Sequence, residues 1–181
     1  MQKNTADGNI RPLAIGLIIL AGLIRVIQNV NFAPVGALSL FCGARLRGWQ
    51  AYFLPLALMA VTDPFLGGYS VATPLIYASF MVNVWIGTRL RKTESPLWIG
   101  SAAVAGSVQF FLLTNFAWLA GSSMYPHTLA GVMKCYAAGL EFFGRTLASD
   151  IVYAGVLFGL HAWLSRTVVR SERVAVQVSV A

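Results

Sequence analysis

The sequence predicts an all-α integral membrane protein: six transmembrane helices plus an amphipathic or re-entrant outer helix, with both termini cytoplasmic. Three observations carry this. Of 181 residues 57% are hydrophobic and only 10% charged, with a mean hydropathy of +0.71, whereas a water-soluble globule carries about 25% charge. The apolar residues fall into runs that approach the ~20 residues needed to cross a bilayer. The basic residues gather between those runs in ones to threes, as they do in cytoplasmic loops.

The first run, residues 12–30, starts at Pro12, a natural first helical residue, and buries Arg25 in its distal third. It is too long for the apolar core of a cleavable signal. The second, residues 33–46, is short and ends at the basic turn of Arg45 and Arg47; at ~1.5 Å per residue it covers only ~20 Å. The third, residues 50–62, stops at Asp63 and Pro64, and the loop that follows carries glycine, serine and proline but no positive charge. The fourth, residues 75–90, is closed by Arg89, Arg91 and Lys92. The fifth, residues 96–120, contains the small-residue stretch GSAAVAGS, where another helix approaches closely. The sixth, residues 147–165, carries Gly155 and Gly159 at GxxxG spacing and precedes Arg166, Arg170 and Arg173.

Residues 122–145 are long enough for a further helix but contain Lys134, Glu141 and Arg145. Charge counting places them. With six spans, ten of the thirteen basic residues face the cytoplasm (Lys3, Arg11, Arg45, Arg47, Arg89, Arg91, Lys92, Arg166, Arg170 and Arg173); a seventh span would put the Arg-rich tail outside, against the positive-inside rule. The chain therefore divides into a cytoplasmic tail (1–11), one six-helix domain (12–165) with an outer cap at about 128–143, and a basic cytoplasmic tail (166–181). Trp49, Trp85, Trp98 and Trp163 lie beside basic loops, as an interfacial belt requires.

The net charge of +7 does not indicate nucleic acid, because no basic stripe forms on one face. Two cysteines, Cys42 and Cys135, give no disulfide framework or CxxC pair. No catalytic motif is present, no cofactor is called for, and no metal set forms. Polar residues instead gather toward the outer face. Arg25, Asp63 and Asp150 form a charge cluster, either the edge of a solute pocket or a structural bridge fixing helix packing. Asn31, Tyr69, Asn115, Trp118, Tyr125 and Tyr136, with Tyr77 beside them, have the large apolar faces and few directed hydrogen bonds of a small-molecule pocket; an outer interfacial belt is the alternative. His127 reads as a loop residue and His161 as an interface hydrogen bonder.

The segments NFAPVGALSLFCGARL, YPHTLAGVMKCY and TLASDIVYAGVLFG, the Asp63-Pro64 turn and Thr114 to Phe116 resemble a family of uncharacterised bacterial six-helix membrane proteins, over residues 12–165. The layout is also similar to the substrate-binding S components of energy-coupling-factor vitamin transporters. That resemblance implies a multi-pass protein of the bacterial inner membrane, in contact with lipid, that captures a vitamin or related micronutrient near the outer surface. It also implies a transmembrane coupling subunit and cytoplasmic ATPases as partners. A cobalamin-binding type ligates cobalt through cysteine, and Cys135 is the residue to compare. The coupling motif Ala-x-x-x-Ala is absent from the first run, where Ala14 is followed four residues on by Ile18. The alternatives are an assembly subunit that uses residues 101–107 and Gly155-Gly159 for helix contacts, and a lipid-modifying enzyme using His127 and Glu141.

Overall fold

The computed structural model describes residues 3–27, 32–121 and 123–180, with side chains described for 12–27, 32–121 and 123–167. Among them it is all helical: α1 (Lys3–Ile27), α2 (Val35–Arg45), α3 (Gln50–Thr62), a 3-10 turn (Asp63–Phe65), α4 (Thr73–Thr88), α5 (Pro96–Gly121) and α6 (Leu129–Val180).

Among the described residues two helices are long and apolar enough to cross a membrane, Pro96–Gly121 and Leu129–Thr167. The other predicted spans are shorter than a bilayer-crossing helix: α2 has 11 residues, α3 has 13 and α4 has 16, or about 16, 20 and 24 Å at 1.5 Å per residue. α1 is longer, but only its Pro12–Ile27 part is apolar. Pro12 lies inside α1, not at its start.

The outer cap expected at 128–143 is not a separate element, because α6 runs unbroken for 52 residues. The charges that suggested an interruption, Lys134, Glu141 and Arg145, all lie on the exposed face and so require no break. Gly144 stands alone, and an isolated helical glycine costs only ~1 kcal/mol. The predicted tail 166–181 likewise continues as helix to Val180.

α5 and α6 form an antiparallel hairpin, and its register follows from cross-helix contacts. Tyr136 donates its hydroxyl to the Leu112 carbonyl at 2.9 Å, Phe111 packs on Tyr136 and Phe143, Ser107 meets Asp150, and Arg166 pairs with Glu94. The centre of the molecule is α2. Every residue from Val35 to Ala44 is buried, enclosed by α1, α3, α4, α5 and α6. α2 and α4 are in backbone contact because both carry glycine there: a Cβ at Gly43 would lie 2.0 Å from the Val84 carbonyl oxygen, and one at Gly87 2.1 Å from that of Leu40.

A buried helix of this length has a specific problem. Its first four N–H groups and last four C=O groups have no partner within the helix. Pro34 sits at the N-cap and supplies no side-chain bond. A neighbouring helix fills the gap: the Asp150 carboxylate accepts from the Ala37 N–H at 3.1 Å, while Ser149 beside it donates to the Ala33 carbonyl of the entering chain at 3.0 Å. At the other end Arg91 donates to the carbonyls of Gly43 at 3.0 Å and Leu46 at 3.3 Å. A carboxylate at the start and a guanidinium at the end also suit the helix dipole.

Candidate functional site

The turn after α3 begins the site. Asp63 and Pro64 open the 3-10 turn, with proline at a position where its fixed φ is favourable. The Asp63 carbonyl accepts from the N–H groups of Leu66 at 3.0 Å and Gly68 at 2.9 Å. Gly67 and Gly68 then adopt φ of 117° and 80°, which residues with a Cβ rarely reach. This reversal holds the Asp63 side chain toward α1. There Arg25 donates to Asp63 at 2.6 Å and also to the Thr62 hydroxyl, while the Tyr77 hydroxyl of α4 donates to the second Asp63 oxygen at 2.6 Å. The ion pair is largely withdrawn from solvent, with side-chain exposures of 11% and 13%.

Beside this pair lies a cavity of about 280 Å³, whose polar lining includes Arg25, Asp63, Ser70, Thr73, Tyr77, Thr146 and Asp150. Met59, Ile76, Phe80 and Phe110 form its apolar wall, and Leu66 and Gly68 of the turn also line it. Its volume lies just below the ~300–1,000 Å³ typical of small-molecule sites.

Asp150 forms the far wall. Its residue exposure is 3%, one oxygen accepts from the Ala37 N–H, and the other accepts from the Ser107 hydroxyl at 2.6 Å. No cation of the described residues lies within salt-bridge distance of it. Gly36 makes room for this arrangement, since a Cβ there would fall 2.2 Å from the carboxylate oxygen. Ser107 is fourteen residues before the α5 terminus at Gly121, about 21 Å along the helix. Asp150 therefore lies near the middle of the hairpin, deeper than the outer face toward which the sequence placed the cluster.

The charge cluster Arg25, Asp63 and Asp150 thus converges on one cavity, from α1, the α3–α4 turn and α6. Of the predicted pocket side chains Tyr77 lines it, whereas Tyr69, Asn115, Trp118, Tyr125 and Tyr136 do not. Tyr69 is 61% exposed and pins the turn to α3 through the Ala60 carbonyl at 2.8 Å. Asn115 bonds the Phe111 carbonyl of its own helix at 2.8 Å and packs against Gly139, so it serves the hairpin. Tyr136 is bound to Leu112 in the same interface, Trp118 is 42% exposed, and Tyr125 is half-buried in the loop before α6. Asn31 lies outside the described residues. Cys135, expected in the outer cap, lies in α6 and is buried against the Asn115 carbonyl. Gly36, Thr62 and Ser107 were not foreseen; only the Pro34-Val35-Gly36 run, a small residue in the first turn of a short apolar helix, hinted at one of them.

A family model described as a family of unknown function, DUF6580, matches residues 7–174. The chain belongs to that family. No curated protein and no solved structure matches it.

Proposed function

We propose that the chain is a multi-pass protein of the bacterial inner membrane that binds a small organic solute, of the size of a vitamin or related micronutrient, for uptake. The observation that supports this reading is the convergence of Arg25, Asp63, Tyr77 and Asp150 on a single cavity with an apolar wall. A bridge that served only to lock helices would need no adjoining space, and ionisable groups at membrane depth are expensive enough to mark functional pathways. The apolar wall stabilises a bound solute by about 25 cal/mol per Å² removed from water. The carboxylates reject analogues that leave their lone pairs unmatched.

The S-component-like layout extends the reading to transport: a transmembrane coupling subunit and cytoplasmic ATPases would supply the energy. Phe80→Trp and Ile76→Trp fill the cavity without touching the ion pair. Native mass spectrometry of the protein released from its own membranes should show a small-molecule adduct on the natural chain and none on either variant. An adduct retained by both variants, or absent from the natural chain at every detergent condition, rejects the cavity as the binding site.

A further inference from the structure

A second polar-apolar junction lies at the opposite, basic end of the hairpin, and it is independent of the solute cavity. A groove of about 300 Å³ runs between α5 and α6, with Arg45, Glu94 and Arg166 at one end and Ile99, Gly100, Ala154 and Gly155 among the residues along it. The GxxxG pair Gly155 and Gly159 does not pack against another described helix of this chain. Among the described residues no atom beyond the local helix backbone lies within 4 Å of where a Cβ would sit on Gly100, Gly155 or Gly159. The glycines make a furrow in the surface of the two helices that are long enough to span a bilayer.

The charged end is unbalanced. Arg166 pairs with Glu94 at 3.2 Å, which leaves Arg45 as the surplus cation. Its guanidinium lies 5.3 Å above the Phe158 ring, and its Nε is buried without a hydrogen-bond acceptor among the described residues. A buried charged donor in that state carries an energetic cost that an anion would remove. On the membrane reading proposed above, on which this inference rests, α5 and α6 lie in a bilayer, and the occupant that supplies both an anion and a flexible apolar chain is a phospholipid. Basic pockets at the ends of transmembrane helices favour anionic headgroups.

We propose that this groove is a binding site for an anionic phospholipid, its phosphate at Arg45 and Arg166 and one acyl chain along Gly100, Gly155 and Gly159. The test uses the full chain in a non-ionic detergent with dioleoyl phosphatidylglycerol, phosphatidylcholine of the same acyl chains, and glycerol phosphate alone. Native mass spectrometry should show phosphatidylglycerol retained about tenfold better than phosphatidylcholine, and glycerol phosphate not retained. Arg45→Gln should abolish that preference, the tenfold expected from one charge-assisted hydrogen bond. Gly155→Leu, and Gly100→Leu from the facing helix, should displace both lipids while the helical circular dichroism stays unchanged, since each side chain enters open space. Equal retention of the two lipids, retention of glycerol phosphate without a tail, or unchanged lipid binding in both leucine variants overturns the proposal.

Discussion

Substituting Gly36 with alanine tests whether Asp150 holds the start of α2. The new Cβ would lie 2.2 Å from one carboxylate oxygen, 2.6 Å from the other and 2.6 Å from Cγ. The steric part alone is modest, because a carboxylate is the far end of a side chain and rotates away. The cost arises from what that rotation breaks: the bonds from the Ala37 N–H at 3.1 Å and from Ser107 at 2.6 Å, both at a site with 3% exposure. Hydrogen bonds to a charged group contribute ~1.5–3 kcal/mol each, and a buried donor left unmet costs ~1–3 kcal/mol. Losing one bond and straining the other gives a destabilisation of about 2–4 kcal/mol. Thermal or denaturant unfolding in detergent, followed by tryptophan fluorescence, measures it. The double variant with Asp150→Ala supplies the decisive comparison: once the carboxylate is gone, Gly36→Ala should cost little, so the two changes are strongly non-additive. Gly36→Ala within 0.5 kcal/mol of the natural chain, roughly the scatter of surface changes, or additive costs in the double variant, would refute the capping role.

The other predictions use the same assay or simple extensions of it. Gly43→Ala and Gly87→Ala should be worse than Gly36→Ala and prevent accumulation of folded protein, because their Cβ atoms meet backbone oxygens that do not rotate away; near-normal yields of both would contradict the α2–α4 contact. Arg25→Met alone should destabilise more than Arg25→Met combined with Asp63→Asn, because a lone partly buried carboxylate is costlier than no pair, and equal losses would show the pair to be energetically idle. Arg91→Ala should cost about 1–3 kcal/mol by leaving the α2 carbonyls unmet, with Arg91→Lys recovering part of it; an unchanged unfolding curve counts against the cap. Arg145→Pro should cost about 3 kcal/mol or more if α6 is continuous there, whereas a break at residues 144–146 would tolerate it, as limited proteolysis of the two proteins would also reveal.

Much of the architecture was legible because hydropathy runs and breakers are local properties. The Asp63-Pro64 stop after α3, the basic closure of α4 and the extent of α5 were all read from neighbouring residues. The join between the predicted cap and the last span was not legible. Lys134, Glu141 and Arg145 look like an interruption when counted along the chain, and only the angular spacing around a helix puts them on one exposed face. The charge cluster was found because an arginine and two aspartates inside apolar runs stand out wherever they lie. Tyr69, Asn115 and Tyr136 make other bonds instead of lining the cavity, because tyrosine and asparagine serve equally well to fasten two segments, and residue type carries no information about which neighbour is met.

By itself the sequence determined that this chain is helical, largely apolar and polarised between a basic end and an end rich in polar side chains, since composition and spacing dictate what each segment must hide from water. Only the tertiary structure decided that the short second helix is the centre of the molecule and that Asp150 closes its open end. Residues 36 and 150 are joined by packing alone, and the free energy of an unmet N–H group in a dry interior appears only once the neighbours that could satisfy it are in place.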